Sequence, residues 1–354
     1  MSLYSHLRPL LFRLEPEQAH HLTLNLIRLA GMLPPVAATL RAIYRVPERP
    51  VEAFGLRFPN PVGLAAGYDK DGLGWRGLAA LGFGHIEIGT VTPLPQPGNP
   101  KPRVFRLPPA QGVINRMGFP GEGAAFVAHQ ISGKRPPGLV LGVNLGKNKA
   151  TPNEDAASDY IKLIQVFAPL ADYLAINISS PNTVGLRALQ GKAALSALLA
   201  EVAVERKMQA SLHKKAIPIL VKLAPDLSDG ELDDALEAIL AAGMDGVIAA
   251  NTTVSRAPLG AYSGVNPQTA CESGGLSGAP LEALSTAMVE KIVQRTGGRL
   301  PVIGVGGIMN AASARRKLDA GATLVQVYTG LVYAGPGLVQ QIVRGLKLEP
   351  ARVN

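Results

Sequence analysis

The chain has 354 residues, 35 Lys and Arg against 26 Asp and Glu for a net charge of 35 − 26 = +9, and only 17% charged beside 47% hydrophobic residues. This composition excludes intrinsic disorder. The 39 glycines without a Gly-X-Y period exclude collagen, and the single cysteine, Cys271, excludes an internal disulfide or a cysteine-based zinc or iron–sulfur site. Lys and Arg are scattered, with no aromatic–basic interleaving, so no nucleic acid is expected as partner. The histidines lack metal-ligand spacing, so no metal is expected. The length allows two domains of ~150 residues or one α/β barrel with insertions.

Leu3, Leu7, Leu10, Leu11 and Leu14 form one helical stripe at the N-terminus. Glu15-Pro16-Glu17 breaks the chain and restarts it, proline and acids suiting a helix's first turn. A second helix is predicted from about Glu17 to Leu33, with Leu22, Leu26, Leu29 and Leu33 on one stripe, ended by Pro34-Pro35. Two readings fit this helical hairpin. It packs on the main body, or it lies on a membrane surface with Arg8, Arg13 and Arg28 toward lipid headgroups. No signal peptide is visible. The uncharged stretch from Ala320 to Val343 has a membrane span's length, but its glycines and glutamines read instead as strand, turn and helix.

From about residue 60, short continuous apolar runs recur: Pro61–Ala66, His85–Val91, Leu139–Leu145, Tyr173–Ile178, Ile219–Leu223, Gly246–Ala250, Val302–Val305 and Leu324–Tyr328. Continuous runs suit strands buried on both faces. Helical segments fall between most of them, including Gly72–Leu81, Ala156–Phe167, Lys192–Met208, Asp229–Ala242, Leu281–Thr296 and Ala311–Ala320. Eight β-then-α units point to a TIM (β/α)8 barrel with its chemistry after the strands. A doubly wound sheet would call for a glycine fingerprint after the first strand, and Ala66-Gly67-Tyr68-Asp69-Lys70 is not one. Two additions are expected: a hairpin over Val51–Phe58 turning at Gly55, and another over Arg103–Arg116 within a long insertion after the second strand.

Polar residues gather at the strand ends: Lys70, Thr90, Asn144, Lys147, Asn177 to Asn182, Lys222, Asn251 to Thr253, Gly306-Gly307 and Tyr328 to Gly330. Amides and lysines without a carboxylate pair suit a planar, anionic, carbonyl-rich ligand. Backbone N–H groups at Gly306-Gly307, Thr329-Gly330 and Gly274–Gly278 suit a phosphate.

The motifs NISSPNT (Asn177–Thr183), NRMGF (Asn115–Phe119), EIGTVTP (Glu87–Pro93), PQPGN (Pro95–Asn99), GGLSG (Gly274–Gly278) and IGVGGI (Ile303–Ile308) resemble those of the membrane-associated, quinone-dependent dihydroorotate dehydrogenases. The likeness extends over nearly the whole chain. It implies an FMN-containing barrel over residues 51–354 that oxidises (S)-dihydroorotate to orotate in pyrimidine biosynthesis. Residues 1–50 then form a membrane-associating extension that admits a quinone as final electron acceptor. The resemblance also implies a monomer bound peripherally to the cytoplasmic side of a bacterial-type cell membrane.

By the same resemblance, Ser180 takes the proton from C5 while a hydride leaves C6. Serine in place of the soluble relatives' cysteine marks the quinone-dependent class. Lys70, Asn115, Arg116, Met117, Gly118, Phe119, Asn177, Asn182, Asn251 and Thr252 would hold the substrate. Ala66, Gly67, Tyr68, Asp69, Lys70, Thr90, Asn144, Asn177, Lys222, Ala250, Gly278, Gly307, Tyr328 and Thr329 would hold FMN, and His20 and Arg106 would line the quinone site. Two other readings of the chain are a dihydrouridine synthase, which would call for an RNA-binding face and a cysteine acid, and a non-enzymatic lipid-binding scaffold.

Overall fold

The computed structural model describes residues 3–346. Its first elements are three helices, α1 (Leu3–Leu11), α2 (Pro16–Met32) and α3 (Pro34–Ile43). The expected two-helix hairpin is thus corrected to three. Pro34-Pro35 ends α2 but also opens α3, because proline's fixed φ and missing N–H suit a first helical turn. Glu15 caps α2, its carboxylate accepting from Gln18 N at 2.9 Å. Glu17 is buried and accepts two hydrogen bonds from Arg103, at 2.6 and 3.1 Å. This pair ties α2 to the insertion after the second barrel strand. A further tie is steric. A Cβ on Gly77 would lie 2.0 Å from Ile27 O, and one on Gly31 2.5 Å from Gly77 N. Only glycines let α2 approach α4 (Trp75–Ala79) so closely.

The strands in chain order are β1 (Val51–Ala53), β2 (Leu56–Phe58), β3 (Val62–Leu64), β4 (His85–Val91), β5 (Val104–Leu107), β6 (Gly112–Asn115), β7 (Val140–Leu145), β8 (Tyr173–Asn177), β9 (Ile219–Leu223), β10 (Gly246–Ala249), β11 (Gly275–Gly278), β12 (Val302–Val305) and β13 (Leu324–Val327). Eight of them close into the predicted parallel barrel, in the order β3-β4-β7-β8-β9-β10-β12-β13. The remaining helices are α5 (Gly123–Ile131), α6 (Ala156–Phe167), α7 (Lys192–His213), α8 (Asp229–Ala241), α9 (Pro267–Ala270), α10 (Glu282–Thr296), α11 (Ala311–Asp319), α12 (Thr329–Ala334) and α13 (Leu338–Gly345). One apolar cluster fills the space between strands and helices, and a second fills the barrel interior.

The β1–β2 hairpin turns through Phe54 (φ 55) and Gly55 (φ 71), as predicted in place. It sends Phe58, fully buried, among the interior side chains. The insertion hairpin β5–β6 also forms, but it gains a partner. Gly274–Gly278, expected only as a backbone contact to a phosphate, supplies β11, which runs antiparallel to β6 with Gly275 opposite Asn115 and Gly278 opposite Gly112. Among the described residues no single helix is long and apolar enough to cross a membrane. Among the described residues only α2 and α3 together combine the length and the apolar content, and they are bent by 108°.

His85, at the start of β4, is fully buried between the rings of Phe58 and Tyr173, and neither ring nitrogen has a hydrogen-bond partner. Burial pulls its pKa down to about 3. The unfolded chain therefore binds a proton near pH 6.5 that the folded chain refuses until about pH 3. This contribution to stability is whole above pH 6.5 and is lost as pH falls toward 3. A His85→Phe variant removes that liability. Between pH 7 and 4.5 its unfolding free energy should fall by about 2–3 kcal/mol less than that of the wild type, a difference thermal or urea unfolding at the two pH values reads directly.

Candidate active site

The barrel strands end in a hydrogen-bonded floor of amides. Thr90 Oγ1 donates to Asn144 Oδ1 at 2.6 Å, and Asn177 Nδ2 donates to both, at 3.0 Å each. Asn144 Nδ2 in turn donates to Glu87 Oε1 at 2.8 Å. Glu87 is a fully buried carboxylate whose other oxygen accepts from Tyr173 OH at 3.0 Å and Gln326 Nε2 at 2.9 Å. Each amide is thereby locked in one orientation, which a polar network inside a barrel must be to avoid unpaired groups. Gln326 Oε1 is the exception. It is buried without a partner, on a side chain that lines the cavity above this floor.

Over the floor stand the groups of the longer loops. Asn182 Nδ2 donates to Asn115 Oδ1 at 3.2 Å, joining the loop after β8 to the end of β6. Asn251 Nδ2 donates to Ser179 Oγ at 3.0 Å, and Thr252 N donates to Asn251 Oδ1 at 2.8 Å. Ser180 is buried, and its Oγ accepts from Asn182 N at 3.2 Å. It lies just behind the cavity wall formed by Asn177, Asn182 and Asn251.

Two lysines enter the cavity without carboxylate partners. Lys70 Nζ donates to Gly67 O at 2.6 Å, and burial lowers its pKa to about 8. Lys222, on β9, is 5% exposed. Burial lowers its pKa, and the Glu87 charge opposes that shift. Opposite them is a glycine cradle. Gly278 (φ 91), Gly306 (φ 107) and Gly307 (φ 73) hold conformations that side chains resist, and a Cβ on Gly307 would lie 2.2 Å from Glu282 Cα. Thr329 Oγ1 lies 2.9 Å from Ser277 Oγ. Beneath the cradle, Ser285 Oγ donates to Leu281 O (2.8 Å) or Gly306 O (3.1 Å), and accepts from the buried Lys317.

One cavity of about 790 Å³ joins these groups to the N-terminal helices. Its inner end is lined by Lys70, Thr90, Asn115, Asn177, Lys222 and Asn251, and its outer end by Leu7, Leu10, Phe12, Ala19, His20 and Leu26. Two edge contacts among three aromatic rings mark the passage between the two ends. His20 meets Tyr68 at 4.9 Å between centroids, and Tyr68 meets Tyr328 at 5.6 Å. Burial, then the Lys70 charge, holds the His20 pKa down to about 3, so the ring is neutral at physiological pH. Arg106 donates to Leu11 O and Leu14 O and lies 4.5 Å over the Phe12 ring, fixing the end of α1.

Most residues expected at the site meet in this cavity: Ala66, Gly67, Tyr68, Met117, Gly118, Phe119, Ala250, Thr252, Gly278, Gly307, Tyr328 and Thr329 all line it beside those above. Four do not line it: Ser180, Arg116, Asp69 and Asn144. Arg116 turns away to an ion pair with Glu272 and stacks on Phe105. Asp69 accepts from Leu73 N and Gly74 N, each at 2.8 Å, and so shapes its own loop. Asn144 acts through the floor network. Glu87 and Gln326 have central places that no expectation assigned them. The signal for both was a polar residue inside an otherwise apolar strand.

A closed parallel barrel with amides, buried lysines and a glycine cradle at its mouth suits an enzyme built around a planar, anionic, phosphate-bearing cofactor. The residues fit a flavin. The unpartnered Gln326 Oε1 and the amide floor suit an imide edge, Lys222 suits a carbonyl that gains negative charge, and the cradle suits a phosphate. The family model described as dihydroorotate dehydrogenase matches residues 50–349, and the chain belongs to that family. It is a flavin-dependent oxidoreductase of dihydroorotate, in pyrimidine biosynthesis. Proteins named dihydroorotate dehydrogenase (quinone) from Cellvibrio japonicus and Thiobacillus denitrificans are 48% and 49% identical over 344 residues, which cover 97% of this chain and 98% and 99% of theirs. The DHODH of Eimeria tenella in complex with ferulenol superposes with a TM-score of 0.83 at 37% identity, over 93% of this chain and 90% of that one.

Proposed function

We propose that this enzyme oxidises (S)-dihydroorotate to orotate with FMN as its flavin and passes the electrons to a membrane quinone. The observation that carries this reading is the continuity of the cavity, amide-lined at the barrel mouth and apolar between the helices. When bound, a flavin would supply the acceptor for the hydride that leaves C6. Asn115, Asn177, Asn182, Asn251 and Thr252 bind the substrate's carboxylate and ring amides, and the backbone of Arg116 to Phe119 closes over it. Ser180 takes the C5 proton. Lys70 supplies positive charge between substrate and flavin, and Lys222 does so at the flavin's N1/C2=O edge, where reduction builds negative charge. Gly278, Gly307, Tyr328 and Thr329 hold the ribityl chain and phosphate. The floor of Thr90 and Asn144 and the Ala66–Lys70 loop hold the ring.

The helices α1 to α3 form the quinone passage, with His20 and Arg106 at its walls. Leu10, Leu22, Leu26, Leu29, Met32, Leu33 and Ile43 are all exposed on these helices. An apolar surface of this kind supports a peripheral membrane contact, which we take to be on the cytoplasmic face, with the chain a monomer. The test is an anaerobic titration of the purified, yellow protein. Dihydroorotate should bleach the flavin band, and ubiquinone or menaquinone should restore it. A protein that stays oxidised with dihydroorotate overturns the substrate reading. Bleaching that no quinone reverses overturns the acceptor reading.

A further inference from the structure

Three consecutive loops at the barrel mouth meet at one guanidinium. Arg187 follows the Ser180 loop in a short 3-10 turn, Leu186–Gln190. Its Nε donates to Ser179 O at 3.0 Å, which closes the neck of that loop at the residue before Ser180. One terminal nitrogen donates to Thr252 O at 2.9 Å, on the loop after β10. The other donates to Asp226 Oδ2 at 2.8 Å, on the loop after β9. Asp226 itself accepts from Thr253 Oγ1 and, at 3.2 Å, from Val254 N. Beyond the neck the loop has a second tie at Asn182, whose Nδ2 donates to Asn115 Oδ1 and whose carbonyl accepts from Asn99 Nδ2 at 3.0 Å. Val184 at its tip is 88% exposed, and Asn153 Nδ2 holds Gly185 O at 2.7 Å. The Arg187 and Asp226 side chains are only 23% and 19% exposed, so their pair is sheltered.

We propose that Arg187 is the positioning residue of the proton-abstracting step, holding the loop that carries Ser180 in register with the Asn251–Thr252 wall of the substrate site. The inference rests on the reading of Ser180 as the base. A planar fork with fixed donor directions reaches two carbonyls and one carboxylate at once. Lysine, a point charge on a flexible stem, does not. With the neck released, Ser180 loses its alignment with C5 while the floor that holds the flavin ring is untouched.

The test uses the flavin-loaded enzyme under anaerobic stopped flow, with Arg187→Lys as the variant. The limiting rate of flavin reduction by dihydroorotate should fall by roughly 100-fold, the scale of a misplaced reacting group, while orotate still perturbs the flavin spectrum at similar concentrations. The deuterium isotope effect should rise for substrate labelled at C5 and fall for substrate labelled at C6, because proton abstraction becomes the slower event. A rate equal to wild type overturns the proposal. So does a slow variant whose two isotope effects are unchanged, since that is a structural defect only. If Arg187→Lys does not retain flavin, Asp226→Asn, which weakens the carboxylate anchor that aims the fork at both carbonyls, decides by the same readings with a smaller loss. Failure of the wild type itself to be reduced overturns the parent reading instead.

Discussion

A Ser180→Ala variant should reduce its flavin with dihydroorotate about 10²–10⁴-fold more slowly than wild type, the usual contribution of a positioned general base. The change removes one buried oxygen whose hydrogen bond is from Asn182 N. The Asn182–Asn115 and Asn251–Ser179 bonds do not pass through that hydroxyl, so the amide frame proposed to hold orotate remains. Orotate affinity should therefore be largely kept and the loss should fall on the limiting rate, which marks an interaction made in the transition state rather than in the bound ground state. Anaerobic stopped-flow reduction and spectral titration with orotate separate the two quantities. Near-normal reduction would remove Ser180 from the base role and leave it a loop hydroxyl.

Serine at this position raises a chemical problem that the structure partly answers. Its hydroxyl is a weak base at neutral pH, so the site must acidify C5–H and drain the proton. On the proposed reading Lys70, which lines the cavity and has its pKa lowered to about 8, stays mostly charged at pH 7 and would supply positive potential where the enolate-like charge develops. Its Nζ is already held by Gly67 O, so it is preorganised before any ligand arrives.

The barrel was legible because its strands are apolar without alternation. The predicted bounds of β4, β9 and β12 coincide with those observed, and α6 likewise. The strand-end rule then found the floor, since Thr90, Asn144, Asn177 and Lys222 each stand where a strand reaches the mouth. Side-chain direction was not legible. Arg116 stands beside Asn115 in one motif, yet successive residues at a strand end face opposite ways, and Arg116 points to Glu272. Pro34-Pro35 was read as a stop because the same residue that ends one helix also begins the next. The Glu17–Arg103 pair and the Arg187–Asp226 contact join positions far apart in the chain, and no local spacing announces either.

Removing residues 1–14 should abolish quinone turnover, by roughly 100-fold or more, while flavin reduction by dihydroorotate stays near wild type. The structure makes this cut a sharper one than removal of the whole extension. α2 is joined to the barrel by the buried Glu17–Arg103 pair and by the Gly31–Gly77 approach, so deleting it would uncover Leu24 and the barrel side of α4. α1 is held more lightly, by Tyr4 OH to Val332 O at 2.6 Å, Arg8 to Tyr333 O at 2.9 Å and the Phe12–Tyr333 edge contact. Glu15 survives the cut and still caps α2. Yet the removed segment contributes Leu7, Leu10, Leu11 and Phe12 to the outer cavity, and without them the passage loses a wall. A lipid quinone would then meet water rather than an apolar slot, and it would lose the orientation that brings it to the flavin. A water-soluble dye acceptor, which has no use for the slot, should be reduced as before. Ala19→Trp, which fills the same passage from α2 without removing a wall, should give the same split between quinone and dye. Quinone turnover that survives both changes would show that electrons leave the barrel by another route.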